Sequence, residues 1–424
     1  MKILVIGGGG REHAIIKKLK EDPRAEKIYA LPGNGGIAAD AVCLGGSATD
    51  IPAAVAAAKE NNIDFVVVAP DDPLVLGMVD ALEAEGFPCF GPRKNAAVIE
   101  GSKAFSKDLM KKYGIPTAAY ETFTDIDKAL AYVETCPLPT VVKADGLALG
   151  KGVLICETRD AARDAVRSMM EGRLFGDSGA TVVIEEFLTG PEVSVLSFTD
   201  GETVVPMVSS MDHKRALDND QGLNTGGMGT IAPNPYYTPE IAASCMEKIF
   251  LPTIRAMKAE GRPFKGCLYF GLMLTPDGPK VIEYNCRFGD PETQVVLPLL
   301  ESSLLEIMLA VSEGTLADTE VKFSEKSACC VILASAGYPQ KYDKGFPITL
   351  PAAQPDERIY IAGAVRKDGN LLTSGGRVLG AAATAENLPA AIEKAYALAD
   401  RIHFENAFCR RDIGWRALKA LEEK

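Results

Sequence analysis

The sequence predicts a multidomain chain of α/β and α+β architecture. An N-terminal doubly wound parallel sheet domain comes first, then a central domain containing a small subdomain with a glycine-rich loop, then a small C-terminal α+β domain. Three observations predict this. Strand and helix signals alternate through the first hundred residues. A strand then enters a loop with three glycines and a second strand leaves it. Short strands and one helix close the chain. The 424 residues suit roughly three domains at about 150 residues each.

Residues 2–6 are a short apolar strand that runs into Gly7 to Gly10, and residues 12–20 have helical periodicity. Residues 27–30 read as a second strand, followed by Pro32-Gly33-Asn34-Gly35-Gly36. Residues 51–59 are an alanine-rich helix. Residues 65–69 are an apolar strand leading to Pro70-Asp71-Asp72-Pro73, and 75–85 reads as helix. Such alternation implies a parallel sheet, and ligands of these sheets sit beyond the carboxyl ends of the strands. All three Gly/Pro/Asp-rich turns fall at that edge.

A second segment opens near Gly91-Pro92. Residues 101–113 read as a helix carrying Lys103, Lys107, Lys111 and Lys112. Strands are expected at 140–143, 153–156, 181–187 and 192–198, with a helix at 159–171. Residues 211–239 read as a long loop, 241–258 as a helix, and 267–275 with 280–285 as a strand pair joined by a tight turn. From about residue 328 short strands recur at 328–335, 358–364 and 377–383, before a helix at 388–401. The expected domains are 1–100, 101–327, with the small subdomain at about 120–190, and 328–424.

Lys plus Arg number 45 and Asp plus Glu 57, a formal net charge of −12. Nucleic-acid and anionic-membrane binding need a basic footprint, so neither is expected as a partner. An anionic small substrate must instead meet a local cluster of cations. No apolar run approaches the ~18 residues of a membrane span, and the N-terminus lacks the pattern of a secretory signal. The ten cysteines form no Cys-x-x-Cys pair and read as reduced, mostly core residues. A cytoplasmic chain is expected, acting as a monomer with a dimer as the alternative.

Five runs carry chemistry. In 141–152, a strand ending in Lys143 precedes Gly146, Gly150, Lys151 and Gly152, whose glycines let backbone N–H groups approach phosphate oxygens. The spacing is not that of a Walker A loop, and an exposed glycine-rich hairpin is the plainer alternative. In 182–192, an apolar strand ends in Glu185, Glu186 and Phe187, with Glu192 beyond, fit to frame an adenine edge and a ribose. In 281–292, residues two apart on a strand share a face, so Glu283 and Asn285 present two oxygen ligands suited to Mg²⁺. Arg287 continues that face toward a phosphoryl or carboxylate group. In 212–229, Asp212-His213-Lys214-Arg215 adjoins Asn224-Thr225-Gly226-Gly227-Met228-Gly229. That run reads as a clamp for an anionic substrate, with the 19 uncharged residues from 221 to 239 as a lid. Last, the loop Gly7–Gly10 with Arg11 opens a helix and could hold a phosphate. A dinucleotide fingerprint fails there, because position 12 is Glu.

These runs in this order resemble the ATP-grasp superfamily and, within it, the phosphoribosylamine–glycine ligases, also called glycinamide ribonucleotide synthetases. The resemblance covers essentially the whole chain. It also includes Glu100-Gly101-Ser102-Lys103, Arg287 through Gln294, and Ala334 to Pro339. It implies a pre-ATP-grasp, Rossmann-like first domain, an ATP-grasp second domain, and an ADP-forming carbon–nitrogen ligase. In the implied reaction ATP phosphorylates glycine, and the amine of 5-phosphoribosylamine displaces phosphate from the glycyl phosphate to give glycinamide ribonucleotide, a step of purine biosynthesis. By position, Lys103 and Lys143 would bind ATP phosphates under the loop 146–152. Glu185 to Phe187 would frame adenine, and Glu192 would take the ribose. Glu283 and Asn285 would hold Mg²⁺ or Mn²⁺, with Arg287 and Lys143 acting on the reacting groups. Gly9, Gly10, Arg11, Asp71, Asp212, His213, Lys214, Arg215, Asn224, Gly226, Gly227, Arg287 and Asp290 would line the substrate site. Neutralising Lys214 or Arg215 would then weaken use of the amine and spare ATP affinity.

Four positions depart from the family pattern: Asp71 for Glu, Met211 for Gln, Asn219 for Gly and Leu223 for Pro. All four are expected in substrate loops. They admit a related ligase with a different acid or amine. An NAD-linked oxidoreductase is disfavoured by Glu12, and a non-catalytic nucleotide binder by the Glu283/Asn285 pair.

Overall fold

A computed structural model describes residues 1–147, 152–171 and 179–423. Five parallel strands build the first sheet: β1 (Lys2–Gly7), β2 (Lys27–Pro32), β3 (Val42–Cys43), β4 (Phe65–Val68) and β5 (Cys89–Phe90), in the order β3-β2-β1-β4-β5. Ile3 to Ile6 of β1 are fully buried, as befits a central strand covered on both faces. The helix expected over 75–85 is two helices, Asp71–Leu76 and Met78–Ala84. Gly77 stands between them at φ 98°, a left-handed cap that only glycine takes without cost. Likewise 101–113 is broken at Ser102. Its extended backbone ends Lys94–Gly101, and its hydroxyl accepts the Phe105 N–H to open Lys103–Tyr113.

The small subdomain is an antiparallel sheet of β6 (Tyr120–Phe123), β7 (Thr140–Ala144), β8 (Val153–Cys156) and β9 (Val182–Glu186), ordered β6-β9-β7-β8. Helices Ile126–Val133 and Arg159–Met170 close over its own core, which includes Val142, Ala162, Val166 and Ile184.

The rest of the central segment supplies eight strands: β10 (Glu192–Thr199), β11 (Val204–Pro206), β12 (Met211–Asp212), β13 (Arg215–Leu217), β14 (Gln221–Asn224), β15 (Gly229–Ala232), β16 (Gly266–Thr275) and β17 (Gly278–Asn285). The large sheet runs β11-β10-β16-β17. Residues 211–239, expected as a loop and lid, hold four of these strands. β13 and β14 form a hairpin, and β15 is wholly buried. Its Ile231 pairs with Met211 on one side and Cys329 on the other. The uncharged run is therefore partly a sheet strand, which its Gly, Asn and Pro content obscures.

The C-terminal strands are β18 (Ser327–Ser335), β19 (Glu357–Ile361), β20 (Ala364–Lys367), β21 (Asn370–Thr373), β22 (Arg377–Ala385) and β23 (Ala407–Phe408). The sheet is ordered β12-β15-β18-β22-β19, with β23 also on β18, so it begins with strands from the central segment. Helix Leu388–Ala399 covers it, and a further helix, Trp415–Glu422, follows.

The parallel sheet joins the domains. One face (Leu4, Ile6, Val66, Val68) shares a core with Phe250, Phe264 and Phe270. The other (Ile3, Val5, Phe65) packs with Phe288, Leu304, Cys330 and Tyr360. The carboxyl ends of β1 and β4 thereby meet the end of β17.

Candidate active site

Glu283 and Asn285 share a face of β17, opposite Gly271 and Tyr269 of β16. Cations gather round Glu283. Burial pushes its carboxyl up, but Lys214, Lys143, Lys103 and Arg287 together hold it below the usual range. Lys214 Nζ lies 3.8 Å from Glu283 and 3.4 Å from Glu192. Lys103 Nζ donates to the Gly146 carbonyl at 2.7 Å. Among the described residues no group of three or more His, Cys, Asp or Glu could hold a metal. The protein thus offers two hard oxygen donors, Glu283 and Asn285. That set suits a divalent cation whose remaining positions go to phosphate oxygens and water.

Lys143 and Glu185 are buried together. Glu185 accepts ion pairs from Lys143 at 3.0 Å and Lys107 at 2.9 Å, and Lys143 also donates to the Ile282 carbonyl at 3.3 Å. The Glu185 carboxylate is therefore spent on two lysines and does not frame a base with its side chain. Glu186 is exposed and its carboxylate accepts the Ala119 N–H. Phe187 is half-buried and Glu192 exposed, at the mouth. Gly146 is in the left-handed region at φ 89°, and the Gly152 carbonyl accepts from Ala144. Gly150 and Lys151 lie outside the described residues.

Arg287 sits between carboxylates, 3.1 Å from Glu100 and 3.9 Å from Asp71, and donates to Asn285 Oδ1 at 3.3 Å. Its Nε is buried without a partner. Burial pushes Glu100 up. On half-buried Asp71 burial pushes the same way, but Arg287 and Arg11 hold it below the usual range.

In the substrate loops several of the expected residues have partners within the chain. The Gly9 N–H donates to Glu12 at 2.5 Å, and Arg11 pairs with Glu12 at 2.5 Å. A backbone hydrogen bond from Arg11 reaches Asp290, and Gln294 donates to Asp290 Oδ1 at 2.8 Å beside Gly10. Carboxylates of the chain thus lie at this helix N-terminus, the place expected to hold a phosphate. His213 is buried with both ring nitrogens used: Nδ1 faces the Gly229 carbonyl at 3.1 Å and Nε2 accepts the Gly414 N–H at 3.0 Å. It pins the backbone and has nothing left for a substrate. Arg215 donates to the Gly222 carbonyl within the β13–β14 hairpin. Lys214 faces the Glu283 side. Asp212 lies beside Gly227 and Pro291, and burial and then the nearby Glu292 raise its carboxyl well above the usual range. Asn224 pairs with Arg215 across the hairpin, so it goes with that element.

Three of the four departures also leave the site. Met211 is buried in the C-terminal core. Asn219 holds φ 56° in the hairpin turn, a conformation asparagine tolerates where glycine is usual. Leu223 is exposed. Only Asp71 touches the site.

Sequence reasoning missed Arg377, Glu292, Glu100 and Lys107 as site residues. Arg377 comes from β22 and donates to the carbonyls of Gly226 at 2.7 Å and Asp290 at 3.0 Å, with the Asp290 carboxylate at 3.4 Å. It fastens together two loops that lie 151 and 87 residues before it, and nothing local signals that. Glu292 accepts from Tyr269 Oη at 3.1 Å. Glu100 lay within a quoted run without a role.

Comparisons with known proteins cover the whole chain. Family models described as phosphoribosylglycinamide synthetase match in three parts: the N domain over residues 1–100, the ATP-grasp (A) domain over 101–293 and the C domain over 328–416. The phosphoribosylamine–glycine ligase of Pasteurella multocida is 48% identical over 99% of this chain and 98% of its own length. That of Caldanaerobacter subterraneus is 48% identical over 97% and 99%. The crystal structure of the Thermotoga maritima phosphoribosylamine–glycine ligase superposes with a TM-score of 0.86 at 35% identity, covering 97% of this chain and 100% of that one. Campylobacter jejuni biotin carboxylase, at 17% identity and a TM-score of 0.76, shares the fold over 96% of this chain and 92% of its own.

Proposed function

The chain belongs to the phosphoribosylglycinamide synthetase family, and from that premise we propose how its residues perform the reaction. It is an ADP-forming ligase of ATP-grasp architecture that joins glycine to 5-phosphoribosylamine, giving glycinamide ribonucleotide for purine biosynthesis. The reaction uses ATP and a divalent metal, and no helix among the described residues is long and apolar enough to cross a membrane. Mg²⁺ or Mn²⁺ as the metal, a monomeric state with a dimer as the alternative, and a cytoplasmic setting belong to the proposal.

The reaction needs positioning and charge neutralisation more than covalent help. A glycine carboxylate oxygen attacks the γ-phosphorus, the bond to the β-γ bridging oxygen breaks, and ADP leaves. The amine lone pair of phosphoribosylamine then attacks the acyl carbon, phosphate departs, and the nitrogen loses a proton. Lys103, Lys143 and Lys214 meet the negative charge of the phosphate chain. Glu283 and Asn285 would hold the metal, which supplies charge at the β- and γ-oxygens when bound. Arg287, fixed by Glu100 and Asp71, is aimed at the acyl phosphate, and both of these partners come from the first domain. Cys286 is no nucleophile, since burial and Glu100 keep its thiol protonated.

The observation that carries the reading is the convergence of Lys103, Lys143, Lys214 and Arg287 on the ionised Glu283. ADP release is measured with ATP, Mg²⁺, glycine and freshly generated 5-phosphoribosylamine, omitting each in turn. Release should need all four, and alanine or serine should not replace glycine. Release with another acid or amine alone would leave the ATP-grasp reading and overturn the substrate.

A further inference from the structure

Lys107 is the most deeply buried lysine at the site, 2% exposed, and the mechanism above gives it no task. It lies one helical turn after Lys103 on Lys103–Tyr113. Its Nζ donates to Thr117 Oγ1 at 2.8 Å and meets Glu185 at 2.9 Å. The Thr117 hydroxyl in turn donates to the Val281 carbonyl at 2.7 Å. Glu185 in turn meets Lys143, which donates to Ile282. The chain of contacts runs from a helix of the large subdomain through β9 and β7 of the small one and back to β17.

We propose that Lys107 is a positioning residue for ATP: by taking half of the Glu185 carboxylate it holds Lys143 in place across the subdomain junction while leaving that lysine's charge free for phosphate. The proposal rests on the nucleotide-site reading above. Two lysines and one carboxylate leave a surplus positive charge in a buried place, where it acts strongly on an anion. Without Lys107, Glu185 would neutralise Lys143 alone, and the tie to Thr117 and Val281 would be lost.

The arrangement is pH-sensitive. Burial brings the Lys107 ammonium down to about 8, against the pull of Glu185, with Lys143 lowering it further and Glu186 raising it. The ring of Tyr120 of β6 lies 5.8 Å away, and Lys111 of its own helix lies over the same ring. Below that pH the ammonium supports the cluster; above it the support is lost. Arginine at this position would not titrate there.

The test uses the full-length enzyme, with calorimetric Kd for MgADP and kcat and KM for ATP measured from below pH 8 to above it. Lys107→Met should weaken MgADP binding and raise KM by about tenfold or more, the scale of one lost charged hydrogen bond, and kcat should change less. The wild type should weaken as pH rises through 8, and Lys107→Arg should bind well and stay flat. The proposal is overturned if Lys107→Met binds as the wild type does, or if Lys107→Arg follows the wild-type pH curve. Should Lys107→Met fail to fold, the Lys107→Arg curve decides alone. A wild type that neither binds MgADP nor releases ADP would instead sink the nucleotide reading itself.

Discussion

At Glu283 four cations compensate one carboxylate, and the proposal assigns two of them, Lys143 and Lys103, to the phosphates as well. Replacing Glu283 by Ala leaves like charges facing one another and removes a hard ligand. Turnover should fall by about a hundredfold or more, and extra Mg²⁺ should not restore it. Near-normal turnover at limiting Mg²⁺ would refute this. Lys214 is the sharper case. Its place between Glu192 and Glu283 ties it to the nucleotide. Lys214→Ala should therefore raise KM for ATP by about fivefold to tenfold, on the scale of a partly exposed charged contact. An effect confined to the amine substrate would restore the expectation drawn from the Asp-His-Lys-Arg run. The residue types were legible in the sequence and their facing was not, because a short strand points successive side chains to opposite sides and a run of charges does not say which is which.

His213 shows how one buried ring holds three elements together. It joins the loop after β12, the start of β15 and the turn before helix Trp415–Glu422. Burial lowers it to about 4, with Arg410 adding to the effect. The folded chain therefore refuses a proton that the unfolded chain takes near 6.5. Between those values the unfolded state binds more protons, so stability falls as pH drops from about 6.5 toward 4. The cost at the low end is on the order of 3 kcal/mol. His213→Gln keeps a donor and an acceptor but does not titrate. Its Tm should lie below that of the wild type at pH 7, and the gap should narrow as the pH falls. A gap that stays constant would remove His213 from the acid response. At this scale the sequence was readable where periodicity was long: the strands at 2–6, 140–143 and 267–275 and the helices at 51–59 and 388–401 all fall where expected. It was unreadable where one residue breaks an element, as Gly77 and Ser102 do, and where strands of two to four residues, such as β12 to β15, are defined only by distant partners.

The whole molecule closes through exchanges between segments that the order of motifs conceals. β15 leaves the central segment to lie beside β18, and Ile231 and Met211 enter the C-terminal core. Arg377 returns the exchange by gripping Gly226 and Asp290. His13 of the first domain accepts the Ile361 N–H at 2.8 Å, and Asn34 donates to the Ile361 carbonyl at 2.8 Å. The third domain is thus a wall of the site rather than an appendage. Ending the chain at residue 327 would strip β15 of a neighbour and expose Ile231, Met211, Phe288 and the outer face of the parallel sheet. Burial of such side chains contributes about 1.5–3 kcal/mol each, and an exposed apolar edge strand invites aggregation. The truncated chain should be insoluble or lack cooperative unfolding by calorimetry. Arg377→Ala tests the finer point. It should leave Tm within about 2 °C of the wild type, since one partly exposed arginine contributes little to a chain this size. It should lower kcat/KM for phosphoribosylamine by about tenfold to a hundredfold through the loosened Gly226 and Asp290 loops, with MgADP affinity unchanged. A soluble, ATP-hydrolysing fragment ending at 327, or an Arg377→Ala enzyme of full activity, would show that the third domain only covers the site and does not shape it.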